Sequence, residues 1–233
     1  SYLASEPRDT LSDLGSRAIL RTVHGRPVRL DDAKRVFDRH GRVFVADAPS
    51  ALTATLAKQR IPVFLGGGLR LGGDAREPVS RVLASYLWLR WRNEPSGLAR
   101  RLLGQDLLEM VEARVVHPES VFVHVRVDDA AAADALALIS DAAATLRASK
   151  QRYGAIVPGS LDGGPTEPCL FAMGPKLSSV MQRAVAGFYD RGWFESPTVV
   201  VDTGHAHFRE LSKLRQHDRA MAAYCLAKAM LLE

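Results

Sequence analysis

Asp202, His205 and His207 bring metal-ligand chemistry into one short stretch, Asp-Thr-Gly-His-Ala-His. Neutral imidazoles beside a carboxylate suit zinc or iron. Metal-dependent hydrolases carry His-x-His at the end of a strand, so one reading of the chain is a hydrolase using these three residues. Strand alternation would be needed to aim both imidazoles the same way. Gly204 and a helical pattern starting at His205 place the pair past the strand's end instead. The competing reading makes Asp202 or Thr203 the cap of that helix and leaves both His at the surface. His117, His124 and His217 stand alone, so no second ligand cluster is visible.

Other candidates are weaker. The run Gly66-Gly-Gly-Leu-Arg-Leu-Gly-Gly73 could lay backbone N–H groups against a phosphate. It lacks the Gly-Lys-Ser/Thr ending of a phosphate loop and the spaced glycines of a dinucleotide site. The next helix starts several residues later, so a flexible hinge is expected there. Cys169 sits among apolar neighbours and reads as a core thiol, as does Cys225. Ser160 and Asp162 lie in a Gly/Pro stretch without a nucleophile elbow. Trp88 and Trp91 fall on or near the apolar face of a helix, where packing is the default role. No catalytic residue, cofactor or metal is assigned to the chain on these grounds.

The elements that would position these groups alternate between strand and helix. Leu30–Arg39 reads as a helix with Asp31 or Asp32 as cap. Arg42–Ala46 is a continuous apolar run, as in a strand buried on both faces. A helix from Pro49 and a strand at Ile61–Leu65 complete a βαβ unit. Val79–Trp91 has apolar residues every three or four positions, and a second helical pattern runs from Leu98 to Val111. Further on, Val121, Val123, Val125 and Val127 alternate with Phe122, His124 and Arg126, a half-buried strand. A helix over Ala130–Lys150, capped by Asp128 or Asp129, follows. Next come a short strand Ala155–Val157, a loop Pro158–Pro165, a strand Cys169–Met173, a helix Lys176–Phe188 and a strand Pro197–Val201. Helices His205–Arg215 and Asp218–Glu233 close the chain.

The expected fold class is therefore α/β, with mixed α+β character. Residues 1–75 form one small α/β domain, 76–113 a helical connector, and 114–233 a second α/β domain with terminal helices for dimerisation. Ordinary apolar and charged content over 233 residues excludes a disordered, collagen-like or disulfide-scaffold chain. Two cysteines form no framework, so a reducing, cytoplasmic setting is expected. No apolar run reaches the roughly 20 residues that span a bilayer, and the N-terminus lacks the regions of a signal peptide. The chain does not begin with Met, which fits a fragment boundary at Ser1. A net charge of +5 permits nucleic-acid binding. The cations are dispersed and aromatic platforms are few, so a basic nucleic-acid-binding domain ranks behind the other readings.

From Ala220 to Leu232 only Lys228 is charged. A helix apolar all round must be buried on most sides. A symmetric dimer would bury it, and so would its own domain. The dimer reading selects Met221, Tyr224, Cys225, Lys228, Leu231 and Leu232 as interface residues.

The last eighty residues carry a resemblance to the ninety-kilodalton heat-shock chaperone family, HtpG in bacteria. Leu161-Asp-Gly-Gly-Pro-Thr-Glu-Pro-Cys-Leu-Phe171 resembles the turn and strand of its C-terminal domain. Lys176–Arg183 is similar to a helix with a Met-Ser-x-Gln-Met-like pattern. Thr198–His205 is similar to a strand ending in Asn-x-x-His, with Asp202 in place of the Asn. Asp218–Glu233 resembles the family's long dimerisation helix, and residues 17–65 loosely resemble the small α/β piece of its middle domain. The segment Val79–Val127 has no counterpart there, nor does the family's last short helix. The resemblance implies a non-catalytic, homodimeric, client-binding region of a chaperone-like ATPase. It also implies that ATP is bound by a domain upstream. Apolar residues between Met173 and Phe188 are then expected to touch clients.

Overall fold

The computed structural model describes residues 15–16, 20–70, 76–92, 106–151, 153–162, 168–183 and 196–232. The protein is mixed α/β and divides into two units, Ser1–Pro118 and Glu119–Glu233.

In the first unit, β1 (Leu20–Arg21) and β2 (Pro27–Val28) form an antiparallel ribbon. Helix α1 (Leu30–His40) follows, and neither Asp31 nor Asp32 is its N-cap: Arg29 holds that position, and Asp32 reaches back from the third helical residue. The Asp32 carboxylate accepts the Arg29 N–H at 2.8 Å. Asp31 instead accepts the hydroxyl proton of Tyr86, a contact between helices. Gly41, at φ +64°, ends the helix by donating its N–H to the Phe37 carbonyl at 2.7 Å, a left-handed turn that glycine adopts freely. Strand β3 (Val43–Ala46) is central in a parallel sheet. It lies between β4 (Val63–Leu65) and β7 (Val115–Val116). Its burial on both faces is what the continuous apolar run predicts. Between β3 and β4 runs α2 (Ala51–Lys58), whose Ser50 and Thr53 exchange reciprocal cap hydrogen bonds at 3.2 and 2.8 Å.

Helix α3 (Val79–Arg92) drives Val79, Val82, Leu83, Tyr86 and Leu87 into the core with Leu30, Ala33, Val43 and Phe64. Trp88 is partly buried against that cluster; the Trp91 side chain and most of the predicted Leu98–Val111 helix lie outside the described residues. The latter is helical over α4 (Asp106–Glu112). The glycine-rich stretch is not a plain hinge. Gly68–Arg70 is a strand, β5, paired antiparallel with β6 (Arg76–Pro78). Glycine density signals backbone freedom, but Leu69 and Glu77 pair in register, and backbone pairing uses that freedom to form a ladder.

The second unit is built on β8 (Phe122–Val127), β9 (Ile156–Asp162), β10 (Phe171–Gly174), β11 (Val180–Arg183) and β12 (Thr198–Asp202). They close into a barrel in the order β10-β11-β8-β9-β12. Only β9 and β12 run parallel. Alternation sorts the side chains. Val123, Ala172, Met181 and Val200 meet inside. Phe171, Met173, Val199 and Val201 face three helices outside. These are α5 (Ala133–Ala148), α6 (Ala206–Arg215) and α7 (Arg219–Leu232).

Three sequence expectations need correction here. The spacing predicts a helix over Lys176–Phe188, but Val180–Arg183 is strand β11; residues 184–188 lie outside the described residues. Leu177, Val180 and Met181 fit a helical spacing, yet Leu177 is exposed while Met181 packs in the barrel. Strand pairing on both edges outweighs the weak helical preference of a Ser-Ser sequence. The loop expected over Pro158–Pro165 is strand as far as Asp162, the end of β9. A Cβ on Gly159 would stand 2.6 Å from Val200 Cγ1 and 2.7 Å from the Arg126 carbonyl oxygen. Glycine is there because the barrel wall comes too close for any side chain. Finally, α5 starts without a side-chain cap, and Asp128 instead accepts the Ala130 N–H at 3.1 Å in the preceding turn.

Candidate functional site

Helix α7 has two unlike faces. Ala222, Ala223, Leu226, Ala227 and Met230 are buried against α5 and α6 within the unit. On the other side Met221, Tyr224, Leu231 and Leu232 are 48, 53, 45 and 66% exposed. Lys228 is exposed on the same side. Positions 221, 224, 228 and 231 recur at three and four residues, so they form one stripe along the helix. Cys225 lies between the faces, partly buried against the helix core. The helix thus buries one face within its own unit and exposes Met221, Tyr224, Lys228 and Leu231 along the other.

The ends of α7 are tied down. Asp218 accepts the Met221 N–H at 2.9 Å, closing the first turn. Arg219 grips Asp141 of α5 with Nε at 2.8 Å and Nη2 at 2.5 Å. Arg215, at the end of α6, reaches the same carboxylate with Nε at 3.2 Å. Hydrogen bonds from Arg219, then from Arg215, hold the Asp141 carboxyl below its usual range, with burial opposing them. Near the other end, the Tyr153 hydroxyl donates to the Met230 carbonyl at 3.4 Å. Sequence reading singled out none of Asp141, Arg215 and Arg219. Arg215 and Arg219 sit four apart, but across a helix break, and their shared partner lies more than seventy residues away.

The Asp202–His207 stretch is a turn and a helix start. The Asp202 carboxylate accepts the Gly204 N–H at 2.9 Å. Burial pushes its carboxyl up, against the pull of Gly204, His205 and the Leu161 N–H. His205 is the N-cap of α6, its Nδ1 accepting the His207 N–H at 3.2 Å. His207 is exposed. Asp202 and His205 are thereby engaged with local backbone. Among the described residues, no group of three or more His, Cys, Asp or Glu side chains is placed to hold a metal ion.

The remaining candidates are dispersed. Cys169 and Cys225 are not disulfide-bonded, and Cys169 packs beside the barrel interior. Asp162 is exposed and pairs with Arg126 at 3.3 Å, while Ser160 lies on β9. Among the described residues no helix is long and apolar enough to cross a membrane.

No protein-family model, curated protein or solved structure matches this chain.

Proposed function

We propose that this chain is the dimerisation and client-contacting region of an HtpG-type chaperone, with its nucleotide chemistry residing in another domain. The observation that carries this reading is the outer strip of α7: Met221, Tyr224, Leu231 and Leu232 exposed on a helix whose opposite face is fixed in its own core. A second copy related by a two-fold axis would lay strip on strip, each residue class meeting its like. A stable interface of ordinary size buries about 1,600 Å² in total, so neighbouring surfaces of the unit would join the contact. Joining two chains raises the effective concentration of domains attached upstream, which is how a non-catalytic region would serve an ATPase.

The resemblance at Leu161–Phe171, Thr198–His205 and Asp218–Glu233 supports the same reading. The stretch Lys176–Arg183 lends less, because it was matched to a helix and ends in strand β11.

Sedimentation velocity tests the reading. The wild-type chain is expected to sediment as a dimer at micromolar concentration. Met221→Asp combined with Leu231→Asp is expected to give a monomer with unchanged helix content, because both side chains point to water in the single chain. A wild-type monomer at high micromolar concentration overturns the reading.

A further inference from the structure

We propose that the groove between α5 and the first half of β9 binds an extended peptide with an acidic side chain. The peptide backbone adds to the sheet at Ile156, and its carboxylate meets Arg147. This surface is separate from the outer strip of α7, and the proposal does not depend on the dimer. The groove has a volume of about 390 Å³, inside the span of about 300–1,000 Å³ usual for ligand sites. One wall is α5, with Leu136, Ile139 and Ala143; the other is β9, with Ile156 and Pro158. Leu136 stands 47% exposed on this wall, while Ile139 beside it is buried.

The open edge of β9 calls for a polypeptide. Strand β12 pairs with β9 from Ile156 to Gly159, and β8 pairs with it only from Gly159 to Asp162. Val199 donates its N–H to the Ala155 carbonyl at 2.8 Å, and Thr203 donates to the Gly159 carbonyl at 3.1 Å. The backbone groups of these odd-numbered residues therefore turn toward β12, and strand alternation turns those of Ile156 and Pro158 the other way. There the Pro158 carbonyl accepts the Asp128 N–H at 3.2 Å. Because β8 ends at Val127, among the described residues no strand pairs with Ile156 on that edge. Ile156 thus offers one N–H and one C=O to an incoming strand, which is the donor and acceptor set that strand addition uses.

The charge calls for an acid. Arg147, in the last turn of α5, lines the groove. The other carboxylates of α5 are engaged elsewhere: Asp141 holds Arg215 and Arg219, and Asp134 stands 4.0 Å from Arg215. Among the described residues no carboxylate pairs with Arg147. A cation beside apolar walls selects an occupant that is apolar along its length and anionic at one end. Every second side chain of an added strand faces the groove, so the pattern selected is apolar, polar, apolar, polar, acidic.

Isothermal titration calorimetry of the full chain with the peptide Val-Thr-Val-Thr-Glu tests the proposal. Both peptide ends are blocked, so that the Glu side chain is the only carboxylate. Saturable one-to-one binding is expected, and a peptide with Lys in place of the Glu is expected to bind about ten-fold more weakly. Arg147→Glu is expected to reverse that preference; the side chain is exposed, and circular dichroism checks that the fold is kept. Ser140→Trp, at an exposed lining position, is expected to block the groove to both peptides. N-methylation of the peptide at its middle Val and the Thr after it is expected to weaken binding about ten-fold, because one of these N–H groups faces Ile156. Unchanged affinity of the N-methylated peptide would mean capture of any apolar carboxylate without strand addition, and it overturns the proposal. Equal affinity for the Glu and Lys peptides, undiminished binding by Ser140→Trp, or no saturation at millimolar peptide overturns it as well.

Discussion

Arg219 and Asp141 form a two-point ion pair that ties the start of the terminal helix to α5, with Nε and Nη2 at 2.8 and 2.5 Å from the two carboxylate oxygens. Because the Asp141 carboxyl is held below its unfolded value, first by Arg219, its contribution to stability has a defined sign. It is fully present above the unfolded carboxyl value of about 3.9 and is lost as pH falls through the lower folded value. Asp141→Asn is expected to cost about 1 kcal/mol at pH 7. Thermal unfolding of variant and wild type should converge below pH 3. A constant gap across that range would contradict the ionic origin.

The Tyr86 hydroxyl donates to the Asp31 carboxylate from a fully buried ring. Burial, then this hydrogen bond, pushes the phenol above its ordinary range. A raised phenol contributes stability below the unfolded value of about 10 and loses it as pH climbs through the folded one. Tyr86→Phe keeps the packing and removes the bond, so a loss of about 1.5 kcal/mol is expected in urea unfolding at pH 7. Alkaline difference absorbance should show one tyrosine ionising last in wild type and absent from the variant.

Asp202 shows the opposite balance. Burial raises its carboxyl, so the ionised form weakens the fold at neutral pH. The corresponding stability is present below the unfolded value and lost as pH rises through the folded one. Asp202→Asn keeps an oxygen for the Gly204 N–H and removes the charge. The unfolding temperature at pH 7 is expected to rise by about 2 °C, and the gain should vanish near pH 3. A lower temperature at pH 7 would show that the turn needs the charge.

Two leucines on α7 separate packing from display. Leu226 is fully buried and Leu231 is 45% exposed. Leu226→Ala is expected to cost about 3 kcal/mol through the cavity it leaves. Leu231→Ala should change monomer stability by less than about 0.5 kcal/mol, and act on self-association instead. Equal losses in dilute unfolding would mean that the strip is covered within the single chain.

Gly159→Ala puts a methyl group 2.6 Å from Val200 Cγ1 and 2.7 Å from the Arg126 carbonyl oxygen. The backbone oxygen cannot move without disturbing β8, so a loss of about 3 kcal/mol or a failure to fold is expected. Far-ultraviolet circular dichroism and urea unfolding report either outcome, and a wild-type midpoint would show that the barrel is slack at this point.

The features legible in the bare chain were local and periodic. The apolar run at Val43–Ala46, the spacing of Val79 to Leu87, the alternation from Val121 and the stretch after Ala220, apolar but for Lys228, each specify an element within one window of chain. The split character of α7 was half legible. Composition shows too much apolar surface for one face, but not which residues the unit itself hides; the placement of Cys225 between the faces came from packing alone. The tertiary structure decided the rest. Closure of the barrel turned Val180–Arg183 into a strand and drew Pro158–Asp162 into β9, because ladder hydrogen bonds from both neighbours outweigh weak local preference. It also joined Asp141 to Arg215 and Arg219 across more than seventy residues, a pairing of charges with no periodicity to announce it. Short-range pattern records which surfaces of an element are apolar; which surface meets which is settled only when distant segments compete for the same neighbours.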